Sequence, residues 1–74
     1  MGKTSIRNNI RRLRFEASEM TQAELAERVG VTRQTLNAIE AAKYSPTLEL
    51  AFRIAEVFGV PLDEVFQHVG SSDN

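Results

Sequence analysis

The sequence has no cysteine, which excludes disulfides and thiolate metal sites. It has no apolar run approaching the ~18 residues a membrane span needs. Its N-terminus lacks the apolar stretch of a signal peptide, so a cytoplasmic protein is expected. It also lacks a strong charge of either sign: the net charge is −1, not the basic balance usual in a nucleic-acid binder. His68 is the only histidine and has no ligating partner in the sequence. No Ser/His/Asp set and no pair of carboxylates suggests a catalytic pocket, so an enzyme, a metal or a cofactor is not expected.

What is present suffices for one small domain. The chain has 74 residues, 42% of them hydrophobic. A domain of this size buries roughly 60% of its unfolded surface and is marginal alone, which favours dimerisation. The charge is unevenly placed. Residues 1–48 carry a net +3 and residues 49–74 a net −4, so a basic N-terminal part is joined to an acidic C-terminal part.

Hydrophobic spacing predicts an all-α chain of five helices and no strands. The first helix is expected from about Ser5 to Ala17, with Thr4 or Ser5 as N-cap and Ile6, Ile10, Leu13 and Ala17 forming one stripe. Phe15 points away from that stripe, as a partly exposed aromatic. The second helix opens on Thr21 and Glu24, spaced as a capping box, and ends at Gly30, where a left-handed residue is needed. Thr32 caps the third helix, which runs to about Glu40 or Ala41.

Pro46 keeps "AAKYSPT" a loop, and Thr47 caps a fourth helix, Leu48 to Phe58. That helix is apolar nearly all round, so it is placed at the centre. Gly59 closes it. A fifth helix is expected over Leu62–Val69, with Leu62, Val65, Phe66 and Val69 as its stripe. Residues 1–69 form the domain, and residues 70–74 are expected to be a disordered tail.

The informative stretch is "TQAELAERVGVTRQTLNAIE", two short amphipathic helices with one glycine between them. Small Ala26 lets these helices approach, and Gly30 permits the sharp turn. Leu36 and Ile39 anchor the third helix inward. At 100° per residue this leaves Gln34, Asn37, Ala38 and Ala41 outward, with Arg33 at the N-terminal edge. Arg, Gln and Asn are the side chains that pair bidentately with guanine and adenine edges in the major groove. A plain solvated helix face is the alternative, and the tight turn argues against it.

With "RRLRFE", "MTQAELAERVGVTRQTLNAIE" and "KYSPTLELAFRIAEVFGVPLDEVF", the chain resembles the phage repressor/Cro-like (XRE-like) helix-turn-helix regulators over about Ile6 to Phe66. The resemblance implies a compact five-helix bundle of the lambda-repressor-like type. It would bind a pseudo-palindromic double-stranded operator as a homodimer and act as a repressor, with the recognition helix at about 32–41. It implies base contacts by Arg33, Gln34 and Asn37. It implies phosphate contacts by Gln22, Thr32, Thr35, Lys43, Tyr44 and Ser45, the two threonines also within reach of base edges. Arg14 and Glu40 match positions that form an ion pair between the first and third helices. Val65, Phe66 and Val69 are the dimer candidates on the C-terminal stripe. No small-molecule ligand, cofactor or membrane partner is implied. The alternative is an antitoxin-type or accessory protein-interaction module with secondary DNA contact.

The chain departs from the family pattern at two turns. Ser18 and Ala42 stand where relatives usually have glycine. Either Ala42 adopts positive φ, at a cost on the order of 1 kcal/mol, or the third helix runs on.

Overall fold

A computed structural model describes residues 5–43 and 45–68. Among these residues five helices and two short strands follow in the order β1 (Ile6–Asn8), α1 (Ile10–Glu16), α2 (Gln22–Val29), α3 (Arg33–Glu40), α4 (Leu48–Phe58), α5 (Leu62–Val65) and β2 (Phe66–His68). No helix among the described residues is long and apolar enough to cross a membrane.

The middle of the chain folds as its local signals dictate. The Thr21 hydroxyl accepts from Glu24 N–H, while the Glu24 carboxylate accepts from Thr21 N–H at 2.8 Å, so both halves of the capping box form. The Thr32 and Thr47 hydroxyls alone cap α3 and α4, accepting from Thr35 N–H and Leu50 N–H. Gly30 lies at φ +82°, the left-handed region, and turns the chain from α2 into α3 within three residues. Ala26 is buried at this close approach.

The core gathers one face from every helix: Ile10 and Leu13, Leu25 and Val29, Leu36 and Ile39, Ile54 and Ala55, and Val65. Several of these have no accessible surface at all. Burial of a side chain of this size contributes about 1.5–3 kcal/mol. α4 buries only one face, through Ala51, Ile54 and Ala55. Its Leu48 is 67% exposed and Phe52 49% exposed, so α4 lies at the rim rather than at the centre expected from its apolar composition.

Both ends of the domain correct the helical reading. The first helix begins at Ile10, not near Ser5, and Asn9 rather than Thr4 or Ser5 is its N-cap; Thr4 lies outside the described residues. The cause is a pair of asparagines. The Asn8 carboxamide donates to the Ile39 and Glu40 carbonyls at 2.9 and 3.3 Å and accepts from Ile10 N–H. The Asn9 carboxamide donates to the Glu64 carbonyl at 3.0 Å, and its backbone N–H to the Val65 carbonyl at 2.9 Å. Asparagine competes for backbone groups in this way and favours caps over helix interiors.

At the other end α5 stops after one turn. Phe66 takes φ −125°, ψ 138° and begins β2. β1 and β2 pair antiparallel, Ile6 opposite His68, Arg7 opposite Gln67 and Asn8 opposite Phe66. The expected absence of strands is thus replaced by a two-stranded clasp joining the two ends. Of the predicted stripe, Leu62 and Val65 are helical and Phe66 is in β2, while Val69 and the tail lie outside the described residues.

Among the described residues three other than glycine hold positive φ: Ser18 at 63°, Glu19 at 60° and Ala42 at 59°. The third helix therefore does not run on. It ends at Glu40, and Ala42 turns left-handed while Lys43 N–H reaches back to the Ala38 carbonyl at 3.0 Å. A Cβ in this conformation costs roughly 1–2 kcal/mol, partly offset because glycine loses more freedom on folding. Ala42→Gly is expected to raise the unfolding free energy by about 0.5–1 kcal/mol, seen as a Tm higher by about 2–8 °C. An unchanged or lower Tm would show that the turn stores no strain at this residue.

Candidate nucleic-acid interface

The geometry of α3 follows from its anchors. Leu36 and Ile39 are 0% and 1% exposed. With that side fixed inward, Arg33, Gln34 and Asn37 are all exposed on the outer side, Ala38 is half-buried and Ala41 is exposed. The three predicted base-reading side chains thus share one open face of one helix. Nothing among the described residues makes an ion pair with Arg33.

A polar network fixes this helix to its neighbours. Arg14 Nε donates to Glu40 Oε2 at 2.7 Å, and Arg14 Nη2 to Glu40 Oε1 at 3.0 Å, a two-pronged pair between α1 and α3. Arg14 Nη1 donates to the Met20 carbonyl at 2.9 Å, so the same guanidinium also holds the α1–α2 turn. The side chains of Arg14 and Glu40 are only 15% and 9% exposed. Such a fork matches the planar carboxylate and is stronger than a single-point contact.

Gln22 continues the network from α2. Its Nε2 donates to Glu40 Oε1 at 3.1 Å and to Asn37 Oδ1 at 3.2 Å. Both amide hydrogens are therefore committed. The Asn37 carboxamide in turn is oriented with its oxygen toward Gln22, leaving its NH2 group as a donor pair and one oxygen lone pair free. This link was not foreseen from the sequence. The signal for it was a spacing of fifteen residues across a tight turn, which places the first residue of α2 over the middle of α3.

The remaining predicted residues are distributed around this face. Thr32 is exposed and Thr35 half-buried, and the Thr32 hydroxyl donates to the Thr35 hydroxyl at 2.9 Å while capping α3. Lys43 and Ser45 are exposed in the α3–α4 connection; Tyr44 lies outside the described residues. Phe15 is 68% exposed, as expected, and lines a cleft with Arg11, Met20, Gln22 and Arg33. Arg11 also lines the neighbouring cleft with Gln22, Asn37 and Glu40. Sequence reasoning gave Arg11 no role.

The two dimer candidates among the described residues differ in burial. Val65 is fully buried within the protomer and has no surface to offer a partner. Phe66 is half-buried and opens onto a groove with Ile6, Phe52 and Leu62. Val69 lies outside the described residues. Among the described residues no group of three or more His, Cys, Asp or Glu could hold a metal ion.

Comparison with known proteins gives the same organisation. A helix-turn-helix family model matches residues 10–65, from the first residue of α1 to the last of α5. The chain is 53% identical over 47 residues to a Methanocaldococcus jannaschii protein named as an uncharacterized HTH-type transcriptional regulator, MJ0272, covering 64% of this chain and 71% of that protein. It is 41% identical over 61 residues to a Bacillus subtilis protein named as an uncharacterized HTH-type transcriptional regulator, YgzD, covering 82% of this chain and 91% of the relative. It is 38% identical over 58 residues to the cryptic phage CTXphi transcriptional repressor RstR of Vibrio cholerae, covering 78% of this chain but 51% of RstR. The match spans the whole α1–α5 unit that presents the outer face of α3, and the chain belongs to the HTH_3 helix-turn-helix family, of the Cro/C1 (XRE) type.

Proposed function

We propose that this chain is a sequence-specific regulator of transcription, a repressor that binds a pseudo-palindromic operator as a homodimer with α3 in the major groove. The observation that carries the reading is the outer face of α3. Arg33, Gln34 and Asn37 stand together there while Leu36 and Ile39 are buried on the opposite side. In this reading Arg33 pairs with a guanine edge, and Gln34 and Asn37 with adenine or other acceptor-bearing edges. Thr32, Thr35, Lys43, Tyr44 and Ser45 hold the flanking phosphates and set the register, while Gln22, expected there as well, has both amide hydrogens engaged by Glu40 and Asn37. Asn37 enters pre-oriented by Gln22, which lowers the ordering cost of a base contact. A relative named as a phage repressor supports repression over activation.

Salt titration tests the DNA reading against the protein-interaction alternative. Duplex binding should weaken steeply with salt as counterions return to the phosphates, with log K falling linearly in log salt. Binding that is weak and flat across salt would favour the protein-interaction module.

The homodimer reading rests on the groove lined by Ile6, Phe52, Leu62 and Phe66. Leu48 lies one helical turn before Phe52 on α4, and the two are the most exposed large aliphatic and aromatic residues of that helix. The groove shares no lining residue with the clefts beside α3, so a second copy seated there leaves both recognition helices free. A two-fold pair must set them about one DNA turn apart, roughly 34 Å.

Phe52→Asp should leave the fold intact, because Phe52 is half exposed, yet convert the dimer to a monomer in sedimentation. Operator affinity should fall with it, as one half-site is lost. A variant that sediments and binds as wild type would remove this face from the dimer.

A further inference from the structure

We infer that Arg11, on α1, is a DNA-backbone contact that holds the phosphate strand on the α1–α2 side of the recognition helix; this rests on the DNA-binding reading above. Arg11 is exposed and stands between two adjoining clefts. One is shared with Gln22, Asn37, Glu40 and Ala41, and the other with Phe15, Met20, Gln22 and Arg33. The residue therefore borders the face proposed to read bases from α1, outside the helix pair.

The charge arrangement singles it out. Of the three arginines on α1, Arg12 is paired with Glu16 and Arg14 with Glu40, whereas Arg11 makes no ion pair or hydrogen bond among the described residues. The acid nearest the recognition face, Glu40, is already neutralised by Arg14 and further bonded by Gln22. Glu19 lines the second cleft as well but makes no ion pair with Arg11. The cleft walls thus present two uncommitted guanidinium groups, Arg11 and Arg33.

Donor supply points the same way. Lys43 and Ser45 lie in the α3–α4 connection and line neither cleft, so they serve the other side of α3. On the α1–α2 side the expected phosphate contact, Gln22, has both amide hydrogens engaged internally. A phosphate there needs another donor, and a guanidinium brings five N–H groups and a permanent charge. Arg11 supplies them without breaking any contact.

The test is a salt titration of duplex binding by Arg11→Gln, Arg11→Lys, Arg28→Gln and wild type, on the best-bound duplex and on a scrambled one. Arg28 is exposed and unpaired but lines neither cleft, so its replacement controls for net charge. The expected result is a slope of log K against log salt shallower by about 0.9 per bound subunit for Arg11→Gln. Affinity should fall to a similar degree on both duplexes. Arg11→Lys and Arg28→Gln should keep the wild-type slope, and all variants the wild-type Tm. A wild-type slope in Arg11→Gln, or equal loss in Arg28→Gln, would overturn the role of Arg11 while leaving the DNA reading intact. Loss confined to the best-bound duplex would overturn the backbone assignment. Absence of duplex binding by wild type would overturn the parent reading and this one together.

Discussion

Glu40→Ala is expected to lower the unfolding free energy by about 2–3 kcal/mol, among the largest single-residue effects outside the core. The substitution removes the carboxylate that takes both prongs of the Arg14 fork and one hydrogen bond from Gln22. It leaves a guanidinium that is 15% exposed without its partner. Breaking a fully buried pair from one side costs about 3–5 kcal/mol, and the remaining solvent access here reduces that figure. For a domain of this length the loss corresponds to a Tm lower by something on the order of 10–20 °C.

The mechanism can be separated from simple loss of packing. Arg14→Met combined with Glu40→Leu should cost far less than Glu40→Ala alone, because no charge is left stranded. Urea unfolding of the three proteins, with unchanged m-values, would establish the difference. Equal stability of wild type and Glu40→Ala would show that the fork contributes nothing.

Gln34→Ala is expected to have the largest effect on recognition. Gln34 is exposed at the first turn of α3, no hydrogen bond engages its side chain among the described residues, and its removal should not disturb the fold. A bidentate base contact is worth about 1–3 kcal/mol of discrimination. In a two-fold complex the loss occurs at both half-sites, so about 2–6 kcal/mol is expected. That is a fall of roughly thirty-fold to twenty-thousand-fold on the preferred duplex, using about 1.4 kcal/mol per factor of ten. Binding to unrelated duplex should change little, since that term comes from phosphates. A parallel loss on both duplexes would move Gln34 from the bases to the backbone.

How far the fold could be read from residues depended on whether its causes were local. Thr21 with Glu24, Gly30, Thr32, Thr47 and Gly59 set helix ends by contacts within four residues, and each end lies where its signal places it. The errors fall where distant groups compete. Asn8 and Asn9 end the helical reading of residues 5–9 because their partners are the carbonyls of Ile39, Glu40 and Val65. No pattern near Asn8 announces those partners. Ile6 suits a helical stripe and a strand equally, and so does Phe66, so spacing alone did not expose the clasp.

The α4 surface misled for a related reason. Apolar composition indicates a buried helix, but Leu48 and Phe52 face outward in the protomer, and the proposed second copy gives that surface a use. The outer face of α3, in contrast, was legible because the inward anchors Leu36 and Ile39 leave helical geometry only one arrangement for Arg33, Gln34 and Asn37. The Gln22–Asn37 link was not, since it depends on the crossing of α2 and α3.

The most direct test of the central claim is selection of the purified, folded protein against a pool of random double-stranded DNA. The account predicts enrichment of a pseudo-palindromic motif whose half-sites lie about one helical turn apart. Recovery of no motif above the starting pool, from protein whose fold is verified by its thermal transition, would contradict it.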